Sequence, residues 1–322
     1  MHHETTLLNI RSFAVFKKIK QPQQVERILF VTLSNIGDAI LTTPCLEALH
    51  QLFPNAVIDI VCDQRSAALF QYCPYLGEII NKEKRAGWRG WLKLGMRLRQ
   101  QQYDIAVDLR TDGLLYIVKA KVKAFKRGNQ QTMMMHSVQK HYAALQPIAN
   151  TPIPNTVIWL SKQAIFKAET TLKIDANKRI LAIGIGANFS GKIWPATSFA
   201  RFANTLKGHV DRVFIFGDHN DIQLSNTFEE QCDLPTQNFC GKLTLLETAA
   251  YLKKASFFIG NDSGLGHIAS ALAMPTFTVF GVGQPSRYRP WGKKAMWYQD
   301  PNLEIKQVNP EHIAAMVLPT LV

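Results

Sequence analysis

Asp262, Ser263 and Gly264 stand in the run Phe258-Ile-Gly-Asn-Asp-Ser-Gly-Leu-Gly-His267. An apolar stretch over 256–260 precedes them and reads as a buried strand. Asn261, Asp262 and Ser263 are turn and N-cap types. An Ala-rich helix follows over 264–273 and is stopped by Pro275. A second apolar strand, 276–280, ends at Gly281. Such a strand–loop–helix unit aims the free N–H groups of a helix N-terminus at the Gly264 turn, which suits an anion, typically a diphosphate. The same residues also fit an ordinary βαβ unit whose glycines serve close packing alone, since such loops recur in nucleotide-binding α/β folds.

A second chemical candidate is Asp38, in Ser34-Asn-Ile-Gly-Asp38-Ala-Ile-Leu-Thr-Thr-Pro44. An apolar strand over 28–33 leads into it, and Leu41, Cys45, Leu46 and Leu49 follow at helical spacing. An aspartate where a strand hands over to a helix faces the edge of a parallel sheet at which ligands bind. Helix capping accounts for it equally well, because carboxylates stabilise helix starts.

The two segments together carry a resemblance. Ser34 to Leu46 resembles the signature of the lipopolysaccharide heptosyltransferases, glycosyltransferase family nine. Gly260-Asn-Asp-Ser-Gly-Leu-Gly-His-Ile-Ala269 with Pro275-Thr-Phe-Thr-Val-Phe-Gly281 is similar to that family's donor-site block. Gly184-Ile-Gly-Ala-Asn188 with Lys192-Ile-Trp194-Pro195 resembles its middle block. The blocks occur in the family's order across residues 27–300. The resemblance implies a GT-B fold, two Rossmann-like parallel-sheet domains facing across a cleft, and ADP-heptose as donor. It places Asp38 at the family's proposed catalytic position and Asp262 against the transferred sugar. Asp221 resembles the acidic residue that holds the ribose hydroxyls, and Leu243 the apolar residue against the adenine. Asn188 replaces a hydroxyl residue that contacts phosphate.

Elements that could position these residues alternate along the chain. Strands over 28–33, 57–62, 78–81 and 105–108 alternate with helices near 43–53, 65–72 and 90–102. After the Pro-rich connection 150–155, strands over 179–184, 212–217 and 237–238 alternate with helices over 195–207, 220–231 and 244–253. This is the pattern of parallel sheets covered by helices. At 322 residues the chain exceeds one ordinary core. The expected division is 1–155, binding the acceptor, and 156–322, binding the nucleotide sugar, with room for the last helix to pack back on the first domain.

Composition narrows the class. Apolar residues make up 47% and charged residues 19%, values of a globular protein. No run approaches the roughly 18 apolar residues of a membrane span. Residues 7–16 are apolar, but Arg11 interrupts them and no cleavage site follows, so no secretory signal is expected. Five cysteines without metal-type spacing suggest reduced thiols and a cytoplasmic protein. Lys and Arg exceed Asp and Glu by 13, and residues 82–127 alone hold 13 basic against 4 acidic side chains. Such a surplus attracts a polyanion or an anionic surface, although a solvated helix face explains part of it. Arg89, Lys93 and Arg97 share a helical face beside Trp88 and Trp91. Arg65, Arg110, Lys119 and Lys121 are candidate acceptor contacts, and Asp108, Arg110 and Asp112 are placed near the ligand edge.

Other chemistries fit poorly. Phe189 stands where the third glycine of a dinucleotide fingerprint belongs. Ser263 lacks the flanking glycines of a nucleophile elbow. His136 and His141 are not spaced to share a helical face, and His267 reads as a packing residue.

Sugar transfer from a nucleotide needs a base for the acceptor hydroxyl and positive charge for the departing diphosphate. Lys192 and the N–H groups at Ser263, Gly264 and Leu265 suit the second task. Asp38 suits the first, provided desolvation strengthens a carboxylate whose free pKa is near ~3.9 or proton transfer is late. One base and one displacement imply inversion. The expected reaction is transfer of heptose from ADP-heptose to the core of a lipopolysaccharide or lipooligosaccharide. The site is peripheral, at the inner face of the inner membrane, with its anionic surface as a partner. No nucleic acid is expected and no metal is required, Mg²⁺ being admissible but not indicated. The alternatives are a relative using another nucleotide-activated hexose and a non-catalytic protein that binds anionic surfaces.

Overall fold

The computed structural model describes residues 22–82, 87–110, 113–126, 134–146, 148–172 and 178–321. The apolar segment 7–16 and the charged residues Lys84, Arg85, Asp112 and Arg127 lie outside them. The chain forms two compact units, Met1–Trp159 and Leu160–Val322. The break falls beyond residue 155 because Trp159 packs its ring on Phe70 and Tyr75 of the first unit.

The first unit holds β1 (Arg27–Val31), β2 (Val57–Cys62), β3 (Leu76–Asn81), β4 (Gln102–Asp108) and β5 (Lys119–Phe125), in the order β3-β2-β1-β4-β5. Every neighbouring pair is parallel. Short helix α1 (Ile36–Ile40) and α2 (Thr43–Leu52) follow β1, and α3 (Gln64–Ala67) follows β2. Helix α4 (Gly87–Arg99) joins β3 to β4, and α5 (Ser137–Tyr142) comes after β5. Pro44 near its start suits α2, since a missing N–H costs nothing there, and Cys45, Leu46, Ala48 and Leu49 form its buried face. Leu29, Val31, Ala106 and Leu98 meet in the core.

Strand β5 escaped the sequence reading, which saw only positive charge. Its lysines alternate: Lys119, Lys121 and Lys123 are exposed, while Val122 and Ala124 are buried. β5 is an edge strand, and a row of lysines on an edge discourages pairing with other chains. Part of the basic surplus therefore has a structural cause.

The second unit holds β6 (Ile180–Gly184), β7 (Arg212–Phe216), β8 (Thr236–Asn238), β9 (Phe257–Asn261), β10 (Thr276–Phe280) and β11 (Ala295–Gln299). Their order is β11-β10-β9-β6-β7-β8, again wholly parallel. Around the sheet lie α6 (Lys162–Leu172), α7 (Ala196–Thr205), α8 (Ile222–Gln231), α9 (Leu245–Leu252), α10 (Gly264–Ala271), α11 (Pro285–Tyr288) and α12 (Pro310–Val317). The last helix lies against α7, with Ile313, Ala314 and Val317 in the core of its own unit beside Trp194 and Phe199. The Trp194 indole N–H donates to Val308 O at 3.1 Å, which ties that segment down.

The five cysteines are all free thiols, and all but Cys232 are buried. Burial pushes the Cys62 thiol up to about 12 and Cys240 to about 11, so neither is a nucleophile at neutral pH.

Candidate active site

In a parallel sheet, ligands collect at the carboxyl edge where the strand order reverses. In the second unit the chain runs β6, β7, β8 in one direction, then places β9, β10 and β11 on the other side of β6. The reversal lies between β6 and β9. Lys192 follows β6 and Asp262 follows β9, and their side chains meet there: Lys192 Nζ is 2.6 Å from Asp262 Oδ2. Both are largely shielded from solvent, with 28% and 10% of their side chains exposed.

Asn261 holds this junction together. The last residue of β9, it is fully buried. Its amide donates to Ile185 O at 2.8 Å, and its Oδ1 accepts from the Trp194 N–H at 2.9 Å. The loop carrying Asn188 and Lys192 is thus fastened at both ends by one side chain. A buried polar group left unpaired costs about 1–3 kcal/mol, and here both ends of the amide are satisfied. On the other flank, Asp262 Oδ2 lies so near Gly283 that a Cβ there would come within 2.8 Å of it. Gln299 of β11 fixes that glycine loop by donating to Gly281 O at 2.7 Å and Gly283 O at 2.8 Å.

Helix α10 starts between these residues. Ser263 is its N-cap, in extended conformation, but its hydroxyl makes no cap bond and is buried. The first-turn N–H groups, at Gly264, Leu265 and Gly266, are therefore not consumed by the cap side chain, as an anion site requires. Asn188 is exposed on the neighbouring loop. His267 is buried on α10.

The candidates for the nucleoside lie one and two strands away. The Asp221 carboxylate, following β7, sits directly over Gly186, following β6; a Cβ on Gly186 would come 2.1 Å from both its oxygens. Only glycine leaves room for it. Asp221 Oδ2 accepts from the Asp218 N–H at 2.8 Å. Burial raises its pKa, opposed by that hydrogen bond and aided by the Asp218 charge. Leu243 is half-buried after β8, just before the Thr244 capping box that starts α9. Across β8, β7, β6 and β9, the edge thus presents an apolar residue, a carboxylate, an ammonium and a helix N-terminus in sequence.

The first unit repeats the topology, with its reversal between β1 and β4. Asp38 lies in the first turn of α1, after β1, and Asn35 is the cap. Asp38 Oδ2 accepts from the Asn35 side chain at 3.0 Å. That contact is to a side chain and satisfies no orphan N–H. Arg110, just after β4, reaches across the reversal and donates from Nη1 to Ser34 Oγ at 2.7 Å, so Arg110 and the Asp38 loop are brought together. Arg65 is at the same edge, after β2, but is turned onto Asp63, with Nε 3.0 Å from Oδ1.

Lys119 and Lys121 are not part of this group. The register pairs Gln102 with Lys119, which puts both lysines at the amino edge of the sheet, opposite Asp38. Lys121 is paired with Asp104 at 2.7 Å. Charge alone suggests them as acceptor contacts, and strand β5 accounts for their spacing and sets them at the edge opposite Asp38.

Sequence reasoning also missed the support under α1. His141 of α5 is buried, with Nδ1 3.4 Å from Leu41 O at the end of α1 and Nε2 3.2 Å from Lys126 Nζ. Burial, reinforced by the Lys126 charge, holds its pKa down at about 3. Only the α5 pattern could have signalled this, and no helix was expected there. Among the described residues, no group of three or more His, Cys, Asp or Glu side chains is arranged to hold a metal ion.

The sequence profile of glycosyltransferase family 9 (heptosyltransferase) matches residues 91–314. The chain belongs to that family. As a family 9 member it is a glycosyltransferase, of the heptosyltransferase class. It is 24% identical over 290 residues to lipopolysaccharide heptosyltransferase 3 of Escherichia coli, covering 81% of this chain and 85% of that one. Its fold is that of a family 9 glycosyltransferase from Veillonella parvula, with a TM-score of 0.80 at 22% identity, over 92% and 97% of the two chains. The E. coli heptosyltransferase WaaC with ADP superposes with a TM-score of 0.73 at 18% identity, over 92% and 100%. These likenesses establish the GT-B class for the two parallel-sheet units.

Proposed function

We propose that this family 9 enzyme is an inverting heptosyltransferase that takes its sugar from ADP-heptose. The acceptor in this reading is the core of a lipopolysaccharide or lipooligosaccharide. The observation that carries it is the convergence of Lys192, Asp262 and the α10 N-terminus at the strand reversal. The Asp221 carboxylate lying over Gly186, one strand away, supports a ribose contact in this reading. Support for the donor comes from the related E. coli enzyme, solved with ADP and with ADP-2-deoxy-2-fluoro heptose.

In this mechanism the acceptor oxygen attacks the anomeric carbon, the bond to the diphosphate breaks, and ADP departs with its electron pair. Asp38 receives the acceptor proton. Lys192 and the α10 N–H groups meet the charge that develops on ADP, a contribution that grows as the bond breaks and so lowers the barrier. Asp262 orients the sugar. No resident metal is needed for these steps. Arg110, tied to Ser34, and Arg65 meet the phosphates or acidic sugars of the acceptor. The enzyme works at the inner face of the inner membrane, on an anionic surface.

The test is incubation with ADP-heptose and delipidated core oligosaccharide, with and without EDTA. Release of ADP, gain of one heptose mass and an inverted anomeric signal by NMR support the reading. Transfer only from another sugar nucleotide would replace the donor. Binding without transfer or donor hydrolysis would point to the non-catalytic alternative.

A further inference from the structure

Helix α4 carries an apolar row that the described residues leave exposed. Its inner face, Leu94, Gly95 and Leu98, is buried. At Gly95 the helix lies so close that a Cβ would stand 2.9 Å from Ile117 Cδ1. Trp88, Leu92 and Met96 follow one another at four-residue spacing, so they line one stripe. They are 71%, 43% and 56% exposed. Tyr116, 83% exposed, continues the patch: its ring and that of Trp91 both approach Gly113. The adjoining stripe is Arg89, Lys93 and Arg97, with the Arg89 guanidinium 5.6 Å from the Trp88 ring centroid. Arg97 is paired with Glu78, which leaves Arg89 and Lys93 as the outward cations of that stripe. No acidic side chain occurs in the helix.

We propose that α4 seats this enzyme on an anionic lipid bilayer, with Trp88, Leu92 and Met96 entering the boundary between headgroups and acyl chains and Arg89 and Lys93 meeting lipid phosphates. The inference rests on the reading of the acceptor as a membrane-borne glycolipid, and it changes how the basic region acts. Charge alone would hold the protein in the diffuse layer above the surface and release it in salt. An apolar row with cations beside it is the pattern of a helix lying in the interface plane. Tryptophan prefers that depth, with its ring apolar and its N–H wet. A second protein is a poorer fit, because interface cores are depleted in lysine and Lys93 lies along the stripe.

The test is flotation with vesicles of phosphatidylethanolamine and phosphatidylglycerol, beside turnover on delipidated core oligosaccharide. The triple variant Trp88→Ser, Leu92→Ser, Met96→Ser should lose at least about tenfold in vesicle partition, since apolar burial sets interfacial affinity. Its turnover on the soluble acceptor should equal the parent's. Arg89→Gln with Lys93→Gln should lower partition and flatten its salt dependence. Brominated lipid should quench the parent's fluorescence and quench Trp88→Phe much less. Undiminished partition of the serine variant, or equal quenching in Trp88→Phe, overturns the proposal. So does a serine variant that loses only self-association in sedimentation. Absence of turnover on every soluble acceptor would instead overturn the functional reading, with partition still deciding the role of α4.

Discussion

Lys192 and Asp262, 70 positions apart in sequence, form a 2.6 Å ion pair at the point where the second sheet reverses its strand order. The pair has a consequence for binding. In the proposed mechanism a diphosphate brings a new anion to an ammonium that already has one, so donor and Asp262 would compete for Lys192.

The two partners should therefore respond with opposite signs. Lys192→Ala removes a charge-assisted contact of about 1.5–3 kcal/mol, a loss of roughly tenfold to over a hundredfold in ADP affinity. Asp262→Asn frees Lys192 and removes a repelling carboxylate, so ADP should bind more tightly while turnover falls. Calorimetry with ADP beside steady-state rates checks both. Weaker ADP binding by Asp262→Asn would show that the pair is needed to hold the ammonium in place.

Asp38→Asn keeps the shape of α1 and its contact with Asn35. As loss of a general base, it should lower turnover by roughly 10²–10⁴ and leave ADP affinity alone. Near-parental turnover would return Asp38 to a structural role in the first turn of α1.

Gly186→Ala is the sharpest test of the nucleoside end. The new methyl would sit 2.1 Å from the Asp221 oxygens, so the carboxylate must move. The parent should prefer ADP over 2′,3′-dideoxy-ADP by about tenfold or more, the value of a hydrogen bond to a charged group. Gly186→Ala and Asp221→Asn should both lose that preference. Thermal stability of each variant, followed beside binding, separates this from unfolding.

His141 makes the first unit acid-sensitive. Its folded pKa, about 3, lies below the ordinary 6.5. As pH falls through 6.5 the unfolded chain takes up a proton that the folded unit refuses until about pH 3. Stability therefore declines across that window, by about 1.4 kcal/mol per pH unit at most. Urea unfolding at pH 7 and pH 5 should show a smaller pH effect in His141→Leu than in the parent. Identical pH effects would mean that the ring is protonated in the folded protein.

The legible part of the fold was the part whose residues speak locally. β2 and β10 were placed at their observed bounds because apolar runs ended at clear turn residues. The strand-end positions of Asp38 and Asp262 were legible from the apolar runs before them, whereas Lys192 and Asp221 were singled out by the family resemblance. What stayed hidden depended on partners far away. Strand β5 looked like a charged segment because its buried positions, Val122 and Ala124, are small and its lysines dominate. Asn261 read as a turn residue, yet it ends β9 and its side chain fastens both ends of the loop that follows β6. The sequence shows Arg89, Lys93 and Arg97 on one face beside Trp88 and Trp91, and only the fold shows that the core takes Leu94 and Leu98 and leaves Leu92 and Met96 exposed beside Trp88.

Parallel pairing throughout also sets a timetable for synthesis. No strand of the described residues can close a hairpin with the next. The central pairs join Ile28 to Ile105 and Leu181 to Phe257. Nascent β1 leaves the ribosome with its eventual neighbour β4 still untranslated, and β6 waits likewise for β9. Contacts of such long range form slowly and leave apolar strands uncovered meanwhile. The corners bearing Arg110 and Asp262 are thus completed late in each half, so a ribosome stalled before either would hold a nascent sheet that a chaperone must shelter.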